Sequence, residues 1–277
     1  MHYSSCIRFA TLLIALSLFW GCALDDSRTP GRSQTLPALA DPSQLQTGPQ
    51  RVADQGGTLD TGWTERKFTY EEMGDISEKY PELNSTVCLK ILARLNTKAY
   101  YYISDDMRNG RPLKVPNDFR AYQGWTPLPR NLGEAVGASK LVLIVKNIPF
   151  LGWYENGALV GDSQVCIGKK PELTRAGTYG VEEKDARHVS RSYPNSFGEP
   201  ALMPWALRVY NGVWIHAGDV TRGYCSPGCI VLPLEPAEQL FDWADSQTTV
   251  MILESLVDLK RTLQNYSRQY GKVNAEQ

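Results

Sequence analysis

Val213-Trp214-Ile215-His216-Ala217-Gly218, followed by Tyr224-Cys225-Ser226-Pro227-Gly228-Cys229-Ile230-Val231-Leu232, decides how the chain is read. The first run is a short β-rich segment that delivers a histidine, and the second carries a glycine-preceded cysteine into another apolar run. Gly218, Gly223, Pro227 and Gly228 stand between them, so the interval must fold back as a loop able to return the thiol towards the imidazole. A free thiol with a pKa near ~8.5 is only slightly ionised at neutral pH, and a positioned base is what makes it nucleophilic. Gly228 leaves room for the backbone N–H groups of Gly228 and Cys229 to face a developing oxyanion, as acyl transfer requires. Metal binding is the chemical rival, because Cys225, Cys229 and His216 are three soft ligands. Nothing supplies a convincing fourth, so neither a metal nor a cofactor is expected.

The run Ile215-His216-Ala217-Gly218, then Ser226-Pro227-Gly228-Cys229-Ile230, resembles the signature of the L,D-transpeptidase catalytic domain of the YkuD type, written His-Gly, a loop, then Ser-His-Gly-Cys-aliphatic-Arg/Asn. Leu141 to Asn147, the turn Glu155-Asn156-Gly157, the run Leu159 to Gly168 and Thr174-Arg175-Ala176-Gly177-Thr178-Tyr179 are similar to that family's opening hairpin and its Thr-Pro-x-Gly-x-aromatic segment. The resemblance covers about Ser139 to Leu253. It implies a peptidoglycan enzyme in which Cys229 attacks a tetrapeptide stem and forms an acyl-enzyme, with His216 as general base and later general acid. Ser226 and Gly228 would shape the oxyanion loop, and carbapenems would acylate the thiol. A backbone carbonyl holds the imidazole in the family; here Ala217 or Ser226 would offer it, with Asp219 a candidate substitute. An amine of a second stem or of a protein would take the acyl group. Water as acceptor would make the protein an L,D-carboxypeptidase or amidase-type hydrolase, and a catalytically silent wall-binding lipoprotein is the reading from another class. Two residues depart from the pattern: Pro227 stands where the family has a second histidine and Val231 where it has Arg or Asn. The loop from His216 to Cys229 is also short. His188 competes with His216, but it lies in the polar run 184–192, read as a solvated loop or lid.

A chain of 277 residues has room for one or two domains, and a net charge of -1 gives no reason to expect nucleic acid. Arg8 followed by the uncharged run Phe9 to Trp20 reads as an export signal, too short to span a bilayer. Leu18-Phe19-Trp20-Gly21-Cys22 resembles a bacterial lipobox, which would make Cys22 a lipidated first residue; Gly21-Cys22-Ala23 would equally serve as an ordinary signal-peptidase site. Residues 1–22 are therefore taken as signal peptide and 23–61 as a flexible linker rich in Pro, Ser, Gln, Thr and Gly. This places the protein in the periplasm or cell envelope, tied to a membrane by lipid. Disulfides persist in that compartment. Cys225 and Cys229 are nonetheless expected to remain free thiols, because a ring closed through Gly228 would distort the oxyanion donors; the alternative is a switch in which those two bridge.

Residues 62–135 read as a small, mostly helical accessory domain, with helices over Tyr70 to Tyr80 and Ser85 to Asn96 and Ser85 as candidate N-cap. Arg94-Leu95-Asn96 and Asn109 to Pro116 resemble the helix end and closing strand of LysM glycan-binding modules; a helical cap packed on the catalytic domain is the other reading. Tyr100, Tyr101, Tyr102, Tyr122 and Trp125 suit either sugar stacking or a core. Residues 139–254 form the catalytic domain, mainly β and mostly antiparallel, with strands over Lys140–Asn147, 159–168, 177–184, 206–210, 213–216 and 248–253 and one helix over Glu235–Ala244. Residues 255–277 carry Leu256, Leu259, Leu263 and Tyr266 at helical spacing, an amphipathic C-terminal helix.

Overall fold

Two periods, one helical and one of strands, divide the folded part of the chain as they divide its sequence. The computed structural model describes residues 60–133, 137–195 and 197–270. The signal peptide, Cys22 and nearly all of the linker lie outside the described residues. The helical part opens with strand β1 (Trp63–Arg66), continues through α1 (Tyr70–Lys79), α2 (Ser85–Leu95) and α3 (Tyr100–Arg108), and closes with β2 (Leu113–Pro116), which pairs antiparallel with β1. Thr69 and Glu72 form a capping box at the start of α1. The cap of α2 is Asn84 rather than Ser85: Asn84 has extended backbone angles and its side chain accepts the Val87 N–H at 3.1 Å. Cys88, Ile91, Leu92 and Leu95 of that helix are buried against Phe68, Ile103, Met107, Leu113 and Phe119.

The second part contains β3 (Lys140–Val145), β4 (Phe150–Glu155), β5 (Ala158–Gln164), β6 (Ile167–Gly168), β7 (Gly177–Gly180), β8 (Glu183–Pro194), β9 (Pro200–Tyr210), β10 (Val213–Ala217), β11 (Tyr224–Ser226), β12 (Ile230–Leu232), α4 (Leu234–Trp243), β13 (Thr249–Leu253) and α5 (Leu259–Tyr270). Asn156 and Gly157 both take positive φ, 49° and 82°, as the two-residue turn between β4 and β5 demands. One sheet runs β5-β4-β3-β13-β7 and another β12-β10-β9-β8. Pairing is mostly antiparallel, as expected, with β3–β13, β10–β12 and β6–β11 parallel. The polar run 184–192 is strand β8, not a loop; it pairs along β9, which supplies the apolar residues that β8 lacks.

Alternation along β3 explains its unbroken apolar run. Val142 and Ile144 join the core between the two sheets with Leu207, Ile215, Ile230, Leu232, Val250, Ile252 and Leu240 of α4. Leu141, Leu143 and Val145 face the opposite side, where Met251, Leu253 and, from α5, Leu259, Leu263 and Tyr266 cover them. The helical part packs directly on this body. Arg94 Nη2 meets Asp162 Oδ2 at 2.6 Å, Gln164 Nε2 donates to Lys98 O at 2.9 Å, and the Ala99 N–H donates to Val220 O at 2.7 Å. Among the described residues no helix is long and apolar enough to cross a membrane.

Candidate active site

Parallel pairing of β10 with β12 brings the two chemical groups to one face. The register sets Ile215 opposite Ile230 and His216 opposite Val231. Ile215 and Ile230 enter the core, so His216 and Val231, one step along each strand, face the other way. Cys229 precedes Ile230 and falls on that same outer face, where it packs with Trp214, Met203 and Ala206 on one side and with Val231, Val220 and Ala99 on the other.

Three sets of contacts fix the returning loop. Ser226 Oγ donates to Cys229 O at 2.6 Å and accepts the Gly228 N–H at 3.0 Å, so one hydroxyl closes the turn before the thiol. Thr174, fully buried, accepts the Gly168 N–H at 2.9 Å and donates to Gly228 O at 2.8 Å. Gly228 has φ +150°, and a Cβ there would lie 3.1 Å from Leu173 O, which explains glycine at this position. The third tie is a disulfide from Cys166 to Cys225, with Cα atoms 5.5 Å apart. Cys225 is therefore not the free thiol expected from the sequence, and its partner is Cys166 rather than Cys229. Cys229 stays free. The bridge also removes Cys225 from any three-ligand metal set.

His216 is 8% exposed, and its Nδ1 lies 2.8 Å from Ala217 O. With the proton on Nδ1 the ring donates to that carbonyl and leaves Nε2 as the basic atom. Burial lowers the imidazole pKa from 6.5 to about 4, opposed by the Ala217 hydrogen bond and assisted by His188. Burial pushes the Cys229 thiol up, and the Trp214 N–H that donates to the sulfur offsets part of this. The resting pair at neutral pH is thus a thiol and a neutral imidazole. The carboxylate of Asp219 does not turn to His216 but accepts Tyr101 Oη at 2.5 Å, tying the loop to α3.

His188, set aside in the sequence as a loop residue, arrives on β8 at this face. Its ring stacks on Trp214 with centroids 3.9 Å apart and planes at 26°, and its Nδ1 lies 3.1 Å from Asp185 Oδ2. No spacing signal marked it, since the residues around it are polar on both faces of the strand. Tyr101, read for sugar stacking or a core, instead donates to Asp219, and the pairing of Cys166 was not foreseen; each acts through a partner more than fifty residues away.

Residues 139–252 match the family model of the L,D-transpeptidase catalytic domain, YkuD. No curated protein matches the chain. Among solved structures, an L,D-transpeptidase in complex with imipenem is similar at 22% identity over 42% of this chain and 59% of that one, with a TM-score of 0.38. The L,D-transpeptidase from Mycobacterium smegmatis is similar at 23% identity over 42% and 58%, with a TM-score of 0.37. The catalytic domain of the E. faecium L,D-transpeptidase, acylated by ertapenem, is similar at 22% identity over 42% and 98%, with a TM-score of 0.34. The chain thus spans less than two thirds of the length of the first two.

Proposed function

Taking residues 139–252 as an L,D-transpeptidase catalytic domain of the YkuD type, we propose that this protein transfers acyl groups between peptidoglycan stem peptides through a thioester on Cys229. The observation that carries this reading is the parallel pairing of β10 with β12, which sets His216 and Cys229 on one outer face beside a loop shaped for a turn at Gly228.

The mechanism follows from the resting protonation state. Because the thiol and the imidazole are both neutral, the proton moves as the sulfur bonds the carbonyl carbon of the tetrapeptide, not before. His216 Nε2 takes it, and the ring becomes an imidazolium held by Ala217 O. Weak basicity in this buried ring then favours handing the proton to the departing D-alanine amine. The Gly228 N–H is engaged by Ser226 Oγ, so the oxyanion role falls to the Cys229 N–H, with the Ser226 turn holding it in place. Acyl transfer to an amine on a second stem completes a cross-link. Cleavage of the signal at Cys22, lipidation there and work in the cell envelope belong to the same reading, which detergent partitioning of the intact protein and of Cys22→Ser tests: both remaining in the aqueous phase would refute the anchor.

Incubation of the purified protein with a tetrapeptide muropeptide, followed by mass spectrometry, tests the activity. Release of D-alanine with formation of a dimeric muropeptide is expected. Unchanged substrate after prolonged incubation, with the thiol titrating as free, would overturn it.

A further inference from the structure

The outer face of the β12-β10-β9-β8 sheet carries two imidazoles, and the reaction sketched above uses one. His188 stands on β8 with Nδ1 engaged by the Asp185 carboxylate at 3.1 Å and its ring against the indole of Trp214. Trp214 in turn packs on Cys229, and its backbone N–H donates to that sulfur. Asp185 also accepts the Arg187 N–H at 3.0 Å, which fixes the carboxylate from a second side. His188 Nε2 has no partner among the described residues, while the side chain remains 20% exposed. An ionised carboxylate holding one ring nitrogen, an aromatic wall orienting the ring and a free second nitrogen within reach of solvent describe a built proton acceptor.

We propose that His188 is the general base for the acyl acceptor: it binds the incoming alkylammonium and takes its proton, while His216 serves acylation. This rests on the acyl-transfer reading and adds to it the place and chemistry of the second substrate. In the step, the deprotonated nitrogen attacks the thioester carbon; the C–N bond forms and the C–S bond breaks. His188 Nε2 passes the first ammonium proton on to solvent before attack, takes the second N–H proton as the C–N bond forms, and the resulting imidazolium returns that second proton through solvent to the Cys229 thiolate, so one proton in all leaves for solvent. Charge supports the assignment, since Asp185 favours a cation beside His188 and would repel the carboxylate of a departing D-residue.

The test separates the two halves of the reaction in the full chain, with tetrapeptide muropeptide as donor and Nα-acetyllysine as the amine probe. His188→Gln should form the acyl-enzyme within about twofold of the unmodified rate, while transfer to the amine falls on the order of 100-fold or more and the acyl-enzyme accumulates. His188→Phe keeps a ring against Trp214 but has no nitrogen, and should behave alike, which separates lost chemistry from lost packing. Asp185 acts as a positioning residue: Asp185→Asn should slow only the transfer step, and Asp185→Glu should restore it. Equal slowing of both steps in His188→Phe, or of neither, would overturn the proposal. An unmodified protein that forms no acyl-enzyme would remove the acyl-transfer reading itself.

Discussion

At the residue scale, His216 is buried with an imidazole that is neutral at pH 7. Its pKa is lowered on folding from 6.5 to about 4, so the unfolded chain binds the extra proton first as pH falls. The sign is therefore that stability is full above about pH 6.5, declines through the interval and is lost below about pH 4. At about 1.4 kcal/mol per pH unit the whole effect is about 3 kcal/mol. Urea unfolding at pH 7 and pH 4 should show that difference for the unmodified protein and a smaller one for His216→Gln; an equal pH dependence in both would contradict it. His216 and Cys229 were legible as candidates in the sequence because each sits in a short run with a local partner, Ala217 O for the ring and Gly228 for the turn. His188 was not, because its environment comes from β9 and β10 rather than from its own strand.

At the scale of elements the returning loop is a set of separate ties, each with its own cost. Thr174→Val would leave the Gly168 N–H and the Gly228 carbonyl unpaired in a buried site, at about 2–4 kcal/mol, and should lower acylation along with the melting temperature. The Cys166 to Cys225 bridge spans a sequence separation of 59, and opening it by paired Ser substitutions should cost about 4 kcal/mol, read by denaturant midpoint. Unchanged stability in that variant would contradict the bridge. Strands β3, β5 and β13, α4 and the Asn156-Gly157 turn were legible from period and turn residues. The disulfide was not, since cysteine spacing does not give connectivity. Nor was α3, which buries only Ile103, Asp106 and Met107 and so shows no broad apolar stripe.

For the whole molecule, the helical part and the sheets share contacts that reach the loop between β10 and β12. Arg94 joins α2 to Asp162 on β5, while Ala99 and Tyr101 hold Val220 and Asp219 of the loop. Residues 60–270 should accordingly unfold in one transition, with fluorescence and far-UV circular dichroism superimposing. Arg94→Ala, which removes a partly buried ion pair and the bonds to Trp125 O, should separate the two signals or lower the common midpoint. Two well-resolved transitions in the unmodified protein would show that the parts fold independently.

The central claim is that the Cys229 sulfur forms the acyl bond. Intact-mass measurement after incubation with a carbapenem, with peptide mapping of the adduct, addresses it most directly. One adduct on the peptide containing Cys229 is expected, absent from Cys229→Ala and strongly slowed in His216→Ala. An adduct that persists in Cys229→Ala, or none in the unmodified protein, would contradict it.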